Sequence, residues 1–472
     1  MSYPLSPTPY SIATIDGYFA KTNKARGMND LIRDIENAKL PPSTEYALIH
    51  DGNSSFYMKD VPFTMKSISE RIFHSIPEAA EIIFSTDTYV DRYLSPKSAE
   101  RDRRGCGERY VIDGLNMHCP VDWKTFLTND DNKKSFINLL LRHWSSFDMT
   151  ERLLEKPMIF IEGGQAYKMT VVNGKTMKEH MPEVSSTHEE TDVRIILYIK
   201  YIQTKLPNIG TVRVRAKDSD IFFILLYYAK SFTISILLDM GERLININQL
   251  AENYTQDHIT ALLALHAFTG ADCTSAFKGK GKIRSIKLLG QNSKFIDIFA
   301  KVGNQWVLDD EMVLKGIEEF TCRLYGFASR VKKVNEAREI KAKKLSGSAL
   351  NFRPSVTFDL ANFPPCKRVL EQHVKRANYQ VCIWRRAHEH YPQIPMPQEF
   401  GYHINSETNK LEPLWFEGDV IPKDLVRVSD RQGEEDFDGL NMSDDDDDDD
   451  YYYCNDDDDD DEINVLDDSD SS

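Results

Sequence analysis

The chain lacks any run of about 18 consecutive apolar residues, the length a membrane-spanning helix needs, so no bilayer span is expected. Its first residues, MSYPLSPTPYSIATIDGYF, hold no basic stretch followed by an apolar one, so no secretory signal is expected. The seven cysteines, at 106, 119, 273, 322, 366, 382 and 454, are scattered and lack CxxC spacing. That disfavours a disulfide framework and a zinc site and fits reduced thiols in a cytosolic or nuclear protein. Gly279-Lys280-Gly281-Lys282 is not GxxxxGK[ST] and follows no strand, which disfavours an NTP-dependent enzyme. No GxSxG follows a strand and the histidines show no partnering pattern, which disfavours a serine or cysteine hydrolase. His50 and His266 are read as packing or surface groups. No internal repeat is visible.

What is present is 472 residues with 41% hydrophobic content, enough for a substantial core and two or three domains. The formal net charge of −16 misleads. Residues 430–472 hold 22 Asp and Glu against one Arg, leaving 57 basic and 52 acidic residues in the body. Two Asp runs there, 444–450 and 456–461, flank Tyr451-Tyr452-Tyr453. Such a tail is expected to be disordered and to serve solubility, to bind basic proteins, or to mimic phosphate and inhibit the body's basic face.

Along the chain, residues 1–44 read as a leader, with a helix over Met28–Lys39. Residues 45–245 alternate strands and helices. Tyr46-Ala47-Leu48-Ile49-His50-Asp51-Gly52 and Glu81-Ile82-Ile83-Phe84-Ser85-Thr86-Asp87 are short apolar runs ending in an acid, as expected for buried parallel strands. Residues 63–80 and Lys134–Phe147 are helix-like. Met158–Glu162 is a third strand, with a hairpin at Asn173-Gly174. Glu189–Lys205 is a helix whose apolar positions Val193, Ile196, Leu197 and Tyr201 share one face. Val212–Leu226, VRVRAKDSDIFFILL, starts as alternating Val and Arg, a strand with one buried face, and Phe232–Leu238 follows as another strand. This order predicts an α/β fold with a mainly parallel sheet and helices on both faces. Residues 246–345 read as helical; within 246–300 the helices are broken only at Gly270 and at Gly279–Gly281. Residues 346–429, loosened at Gly347–Asn351, form a C-terminal helical block with a helix over 365–390.

Carboxylates recur in a similar context at Asp51, Asp87, Glu190, Asp192, Asp218, Asp220 and Asp272. A parallel sheet brings its strand ends to one edge, where ligands of open α/β sheets bind. Acids gathered there repel unless cations neutralise them, and Mg²⁺ and Mn²⁺ prefer oxygen ligands. Each acid also has an ordinary reading. Asp218-Ser219-Asp220 is in isolation an Asx turn capping the next helix. Thr187-x-x-Glu190 matches a capping box, and Glu189 is an equally suitable helix-start acid. Asp51 and Asp87 fit turns, and Asp272 fits a cap after Gly270.

Taken in order, the acids and their surroundings resemble the flap endonuclease (XPG-type, PIN-like) nucleases. HDGNSSFY at Asp51 is similar to the family's first motif, and IIFSTDTYVDRYLSPKSAERDRRG to its second, matching at Asp87, Lys97, Arg101, Arg103 and Arg104. Glu190-Thr191-Asp192 and Asp218-Ser219-Asp220 match the third and fourth. Leu262–Asp272 leading through Phe277-Lys278-Gly279-Lys280-Gly281-Lys282 into a helix Ile283–Leu289 matches the last. The resemblance covers about residues 45–290. It implies a PIN-like fold followed by a helix–two-turn–helix region that grips duplex backbone through Lys278, Gly279, Lys280, Gly281 and Lys282, with a bound K⁺. It also implies two Mg²⁺ or Mn²⁺ ions on the seven acids, with Lys97 or Arg101 steadying a scissile phosphate. Glycines and lysines at a helix N-terminus suit phosphate physically.

Some 45 residues precede the first motif, where the family usually begins near the chain start. Asp192 replaces the family's usual Glu. Residues 364–428 resemble the C-terminal part of an animal-expanded branch of such proteins. The implied activity is metal-dependent, structure-selective hydrolysis of phosphodiester bonds of DNA, with RNA second, by a monomer. The alternative is a catalytically inactive PIN-like scaffold binding nucleic acid or protein partners. Lys332-Lys333 and Lys341-x-Lys343-Lys344 read as a nuclear signal or an exposed helix face. A nuclear location is favoured over a cytoplasmic one.

Overall fold

The computed structural model describes residues 1–89, 95–103, 105, 107–346 and 359–423. Arg104, Gly347–Asn351 and the acidic tail lie outside the described residues. Strands β1 (Tyr46–Asp51), β2 (Glu81–Ser85), β3 (Met158–Glu162), β4 (Gln165–Val172), β5 (Lys175–His180), β6 (Thr211–Arg215), β7 (Ser235–Asp239) and β8 (Leu244–Asn246) form one sheet in the order β5-β4-β3-β2-β1-β6-β7-β8. Neighbours from β3 through β7 run parallel, and the β4, β5 and β8 edges are antiparallel. The sequence lays down β1, β2 and β3 to one side, then β6 and β7 to the other. The order therefore reverses between β1 and β6, which opens a crevice at their carboxyl ends.

The strands alternate strictly between two cores. Ala47, Ile49, Ile83, Ile159, Ile161, Val212 and Val214 pack on one face, under the helices Thr191–Lys205, Ser219–Tyr228 and Gln256–Phe268. Leu48, Ile82, Phe84 and Phe160 pack on the other, against the helices Met65–Ser75 and Asp130–Trp144. The Val/Arg alternation of β6 follows the same logic. Its arginines turn to the second face, where the Arg213 guanidinium donates to Asp239 and to the Tyr46 hydroxyl.

The first core does not stop at the sheet. Ile12, Met28 and Ile32 from the leader join it, as do Val369, Val374, Val381 and Trp384 from the helix Lys367–Arg385. The leader helix is Ala25–Leu31, not Met28–Lys39, because the chain straightens to let the Ala38 N–H donate to the Leu244 carbonyl beside β8. Residues 246–300 break in more places than expected. Thr255 and Asn292 each turn a side-chain oxygen onto the N–H groups of a following helix and so start new ones. Among the described residues no helix is long and apolar enough to cross a membrane.

Candidate metal centre

Asp51 closes β1 in the crevice, its carboxylate accepting from the Asn53 N–H at 3.1 Å. Gly52 is required beside it. A Cβ there would lie 2.6 Å from the Phe84 ring and 2.8 Å from the Ser85 carbonyl oxygen. Asp87 follows β2, accepting from the Thr191 N–H at 2.9 Å and from Arg101 at 3.2 Å. Buried Arg194 fixes this pairing from behind by donating to the carbonyls of Thr86 and Glu189.

Glu190 stands at the N-cap of the helix Thr191–Lys205 without capping it. The helix starts too late for the capping box expected from Thr187. The carboxylate meets the Lys97 ammonium at 2.6 Å instead, and neighbouring Glu189 pairs with Arg101 at 2.7 Å. Asp218 meets both of its readings at once. It caps the helix Ser219–Tyr228 by accepting from the Asp220 N–H at 2.8 Å, and it faces the acids. Ligand oxygens of Asp192, Asp218 and Asp220 all lie within 4.8 Å of one another.

Asp272 follows the helix Gln256–Phe268, where Gly270 takes a φ of +110° that favours glycine. Both of its oxygens face lysines, Oδ1 meeting Lys24 at 2.5 Å and Oδ2 meeting Lys97 at 2.7 Å. The site thus holds two tight groups, the trio Asp192, Asp218 and Asp220 and the lysine-bridged pair Glu190 and Asp272. Asp51 and Asp87 lie beside them, near enough for their charges to be felt.

The protonation pattern reflects crowding. Burial, then the charges of Asp87 and Asp218, pushes Asp51 up to about 7. Burial pushes Glu190 up to about 7 despite Lys97. Asp192 is raised well above the usual range by burial, Asp218 and Glu190. Asp87 goes the other way. Burial opposes its charge, but Arg101, Lys97 and the Thr191 N–H together hold it below the ordinary value. Lys24, Lys97 and Arg101 therefore leave part of the acidic charge uncompensated. A carboxylate-rich site with such a surplus fits a hard divalent ion.

Four residues that the sequence reading did not place shape the site. Lys24, from the leader, sits among Asp218, Asp220 and Asp272. His266, read as a packing or surface group, is buried with Nε2 at 2.8 Å from Asp220 Oδ1. Arg194 is the buried clasp described above. Lys21 donates to the Asp272 carbonyl at 2.5 Å.

The basic residues divide. Lys97 and Arg101 are engaged with acids. Arg103 lies toward the rim, 3.5 Å from Glu100. Lys278 is exposed, and Lys280 lies 5.5 Å from the Tyr325 ring. Gly279, at φ +66°, and Gly281, the N-cap of the helix Lys282–Gly290, present backbone without side chains. Lys282 departs from its expected phosphate contact. It is buried, and its ammonium donates to the His266 carbonyl at 2.7 Å and the Thr269 hydroxyl at 3.1 Å. The helix end at Phe268 leaves the His266 carbonyl without an intrahelical partner, and the lysine satisfies it.

No protein-family model matches the chain, and no curated protein does. Solved structures similar to it include the T5 D15 protein co-crystallised with metal ions. It is 13% identical with a TM-score of 0.33, over 72% of this chain and 91% of that one. Another is the bacteriophage T5 D15 flap endonuclease, as a substituted pseudo-enzyme in a product complex with DNA and metal ions. It is 12% identical with a TM-score of 0.29, over 72% of this chain and 99% of that one. Overlap this loose decides nothing alone, and the functional reading is carried by the acids and their partners. In its motifs, the chain is similar to the flap endonucleases.

Proposed function

We propose that the chain is a divalent-metal-dependent nuclease that hydrolyses phosphodiester bonds of structured or single-stranded nucleic acid, DNA before RNA. The observation that carries this reading is the meeting of Asp192, Asp218 and Asp220 oxygens within 4.8 Å at the switch point of the sheet. Asp192, Asp218 and Asp220 would hold Mg²⁺ or Mn²⁺, with Asp51, Asp87, Glu190 and Asp272 around them. When bound, such ions activate water at neutral pH and carry charge on a leaving oxygen.

The chain's own residues do the rest. Arg101 keeps Asp87 ionised and Arg194 fixes the loop that carries it. His266 orients Asp220. A cleft of about 480 Å³ runs from Asp87 past Arg109, Tyr110, Lys134 and Arg142, and its cations suit a phosphate backbone. Lys278, Gly279, Lys280 and Gly281 would hold duplex backbone on the other side, with K⁺ at that turn as part of the same proposal. A nuclear location and a monomeric state belong to it as well.

A second reading, a non-catalytic scaffold, draws on one observation. Lys24, Lys97 and Arg101 already touch the acids. Asp218→Asn separates the two readings. Asn caps a helix about as well as Asp, so the fold should persist. Mg²⁺- or Mn²⁺-dependent cleavage of a panel of branched and single-stranded DNA and RNA should disappear with that change. No cleavage by the wild type would favour the scaffold, and equal cleavage by both forms would overturn the metal-centre reading built on Asp218.

A further inference from the structure

The leader delivers a cation to the point where two elements of the acidic centre meet. Lys24 Nζ lies 3.1 Å from Asp218 Oδ1, 3.3 Å from Asp220 Oδ1 and 2.5 Å from Asp272 Oδ1. Asp218 and Asp220 also belong to the close trio with Asp192. An ammonium at Lys24 and a metal ion at that spot would therefore draw on the same oxygens. Asp272 is committed further, since its second oxygen is held by Lys97 at 2.7 Å.

Lys24 is not on a loose arm. Upstream, the Ala276 N–H donates to the Ala20 carbonyl at 2.8 Å, the Lys278 N–H donates to the Ser11 carbonyl at 2.9 Å, and Ile12 is fully buried. Downstream, Met28 and Ile32 are in the main core. Between them, Gly27 packs so closely that a Cβ would lie 3.1 Å from Ile286 and 3.2 Å from Lys282. The backbone on both sides of Lys24 is thus anchored, and its side chain presents the ammonium to the acids. Such an ammonium carries one positive charge and donates hydrogen bonds, but it has no coordination position to offer.

We propose that Lys24 is a built-in counter-ion standing in for one divalent ion, so that this centre takes a single Mn²⁺ or Mg²⁺. That ion would use Asp192 and the Asp220 oxygen that does not face Lys24, and would share Asp218, whose two oxygens lie 3.1 and 3.4 Å from the ammonium. Asp272 holds the two lysines rather than a metal. The inference rests on the metal-centre reading above and adds that the leader sets the metal stoichiometry.

Mn²⁺ binding to the full chain, followed by electron paramagnetic resonance of the free ion and by calorimetry, tests it. The wild type should bind one Mn²⁺, Lys24→Arg should still bind one, and Lys24→Met should bind two. Lys24→Met should also gain more in melting temperature from saturating Mn²⁺ than the wild type does. Two ions on the wild type, or one on a folded Lys24→Met, overturns the proposal while leaving the metal centre in place. No Mn²⁺ on any form removes both. Should Lys24→Met fail to fold, the wild-type stoichiometry decides alone.

Discussion

His266 Nε2 lies 2.8 Å from Asp220 Oδ1, inside a stack in which the imidazole has Phe223 at 4.1 Å and Trp384 at 5.9 Å between ring centroids. Burial, with Lys282 and Lys24 nearby, pushes the imidazole well below its ordinary pKa, so it stays neutral and donates from Nε2. A carboxylate held this way has one oxygen, Oδ1, fixed where Lys24 also reaches it at 3.3 Å. Residues that orient a metal ligand in this manner typically contribute about 10–100-fold to metal affinity.

His266→Ala should therefore weaken Mn²⁺ binding about tenfold or more. It should also cost about 2–4 kcal/mol of stability, because it opens a cavity between Phe223 and Trp384 and removes the imidazole hydrogen bond to Asp220. His266→Gln, which can still donate, should recover part of the affinity. Titrations and melts of both variants check this, and equal affinities for wild type and Ala would show that His266 only packs.

The crowded acids make a pH prediction. Asp51 and Glu190, ordinarily at 3.8 and 4.5, are both pushed up to about 7 by burial. Between those limits the folded chain holds protons that the unfolded chain has released. The stabilisation is complete below about pH 4, declines as pH rises, and is gone above about pH 7. Without divalent ions the melting temperature should fall from pH 5 to pH 8. Added Mn²⁺ should restore more at pH 8 than at pH 5. Parallel melting curves with and without the ion at both pH values would contradict this.

Removing residues 430–472 takes away 22 acidic side chains and one arginine, and leaves a body with 57 basic against 52 acidic residues. If the tail competes for the phosphate-binding face, the shortened chain should bind a DNA duplex more tightly. The difference should shrink as salt rises, because screening weakens both competitors. Fluorescence anisotropy at two salt concentrations measures it, and identical affinities would leave the tail a solubility device.

The sheet and most of its acids were legible because the signal is local. An apolar run that stops at Asp51 or Asp87 shows both the strand and its end within a few residues. The Val/Arg alternation of β6 shows a strand with two different faces. Asp218 illustrates the limit, since one side chain caps a helix and faces the acids, and sequence offers those as rivals. What was not legible depends on distance along the chain. Lys24 reaches Asp218 across 194 positions, and nothing around it distinguishes it from any lysine in a polar leader. His266 sits in a helix so uniformly apolar that packing was the natural reading. Lys282 reads as a phosphate ligand because it closes the Lys278-Gly279-Lys280-Gly281-Lys282 motif at a helix start, yet the first turn of its helix turns it toward the end of the preceding one.

The shared core has a practical consequence for anyone who trims this chain. A fragment beginning at β1 has every strand and every carboxylate of the centre. It nonetheless loses Ile12, Met28 and Ile32 from the interior and Lys24 from among the acids. A fragment ending before residue 367 loses Trp384 from its stack on His266. Neither cut removes a residue of the flap-endonuclease motifs, and both strip the supports that hold those motifs in register. The working unit is wider than its motifs, running from the first turns of the leader through the last long helix.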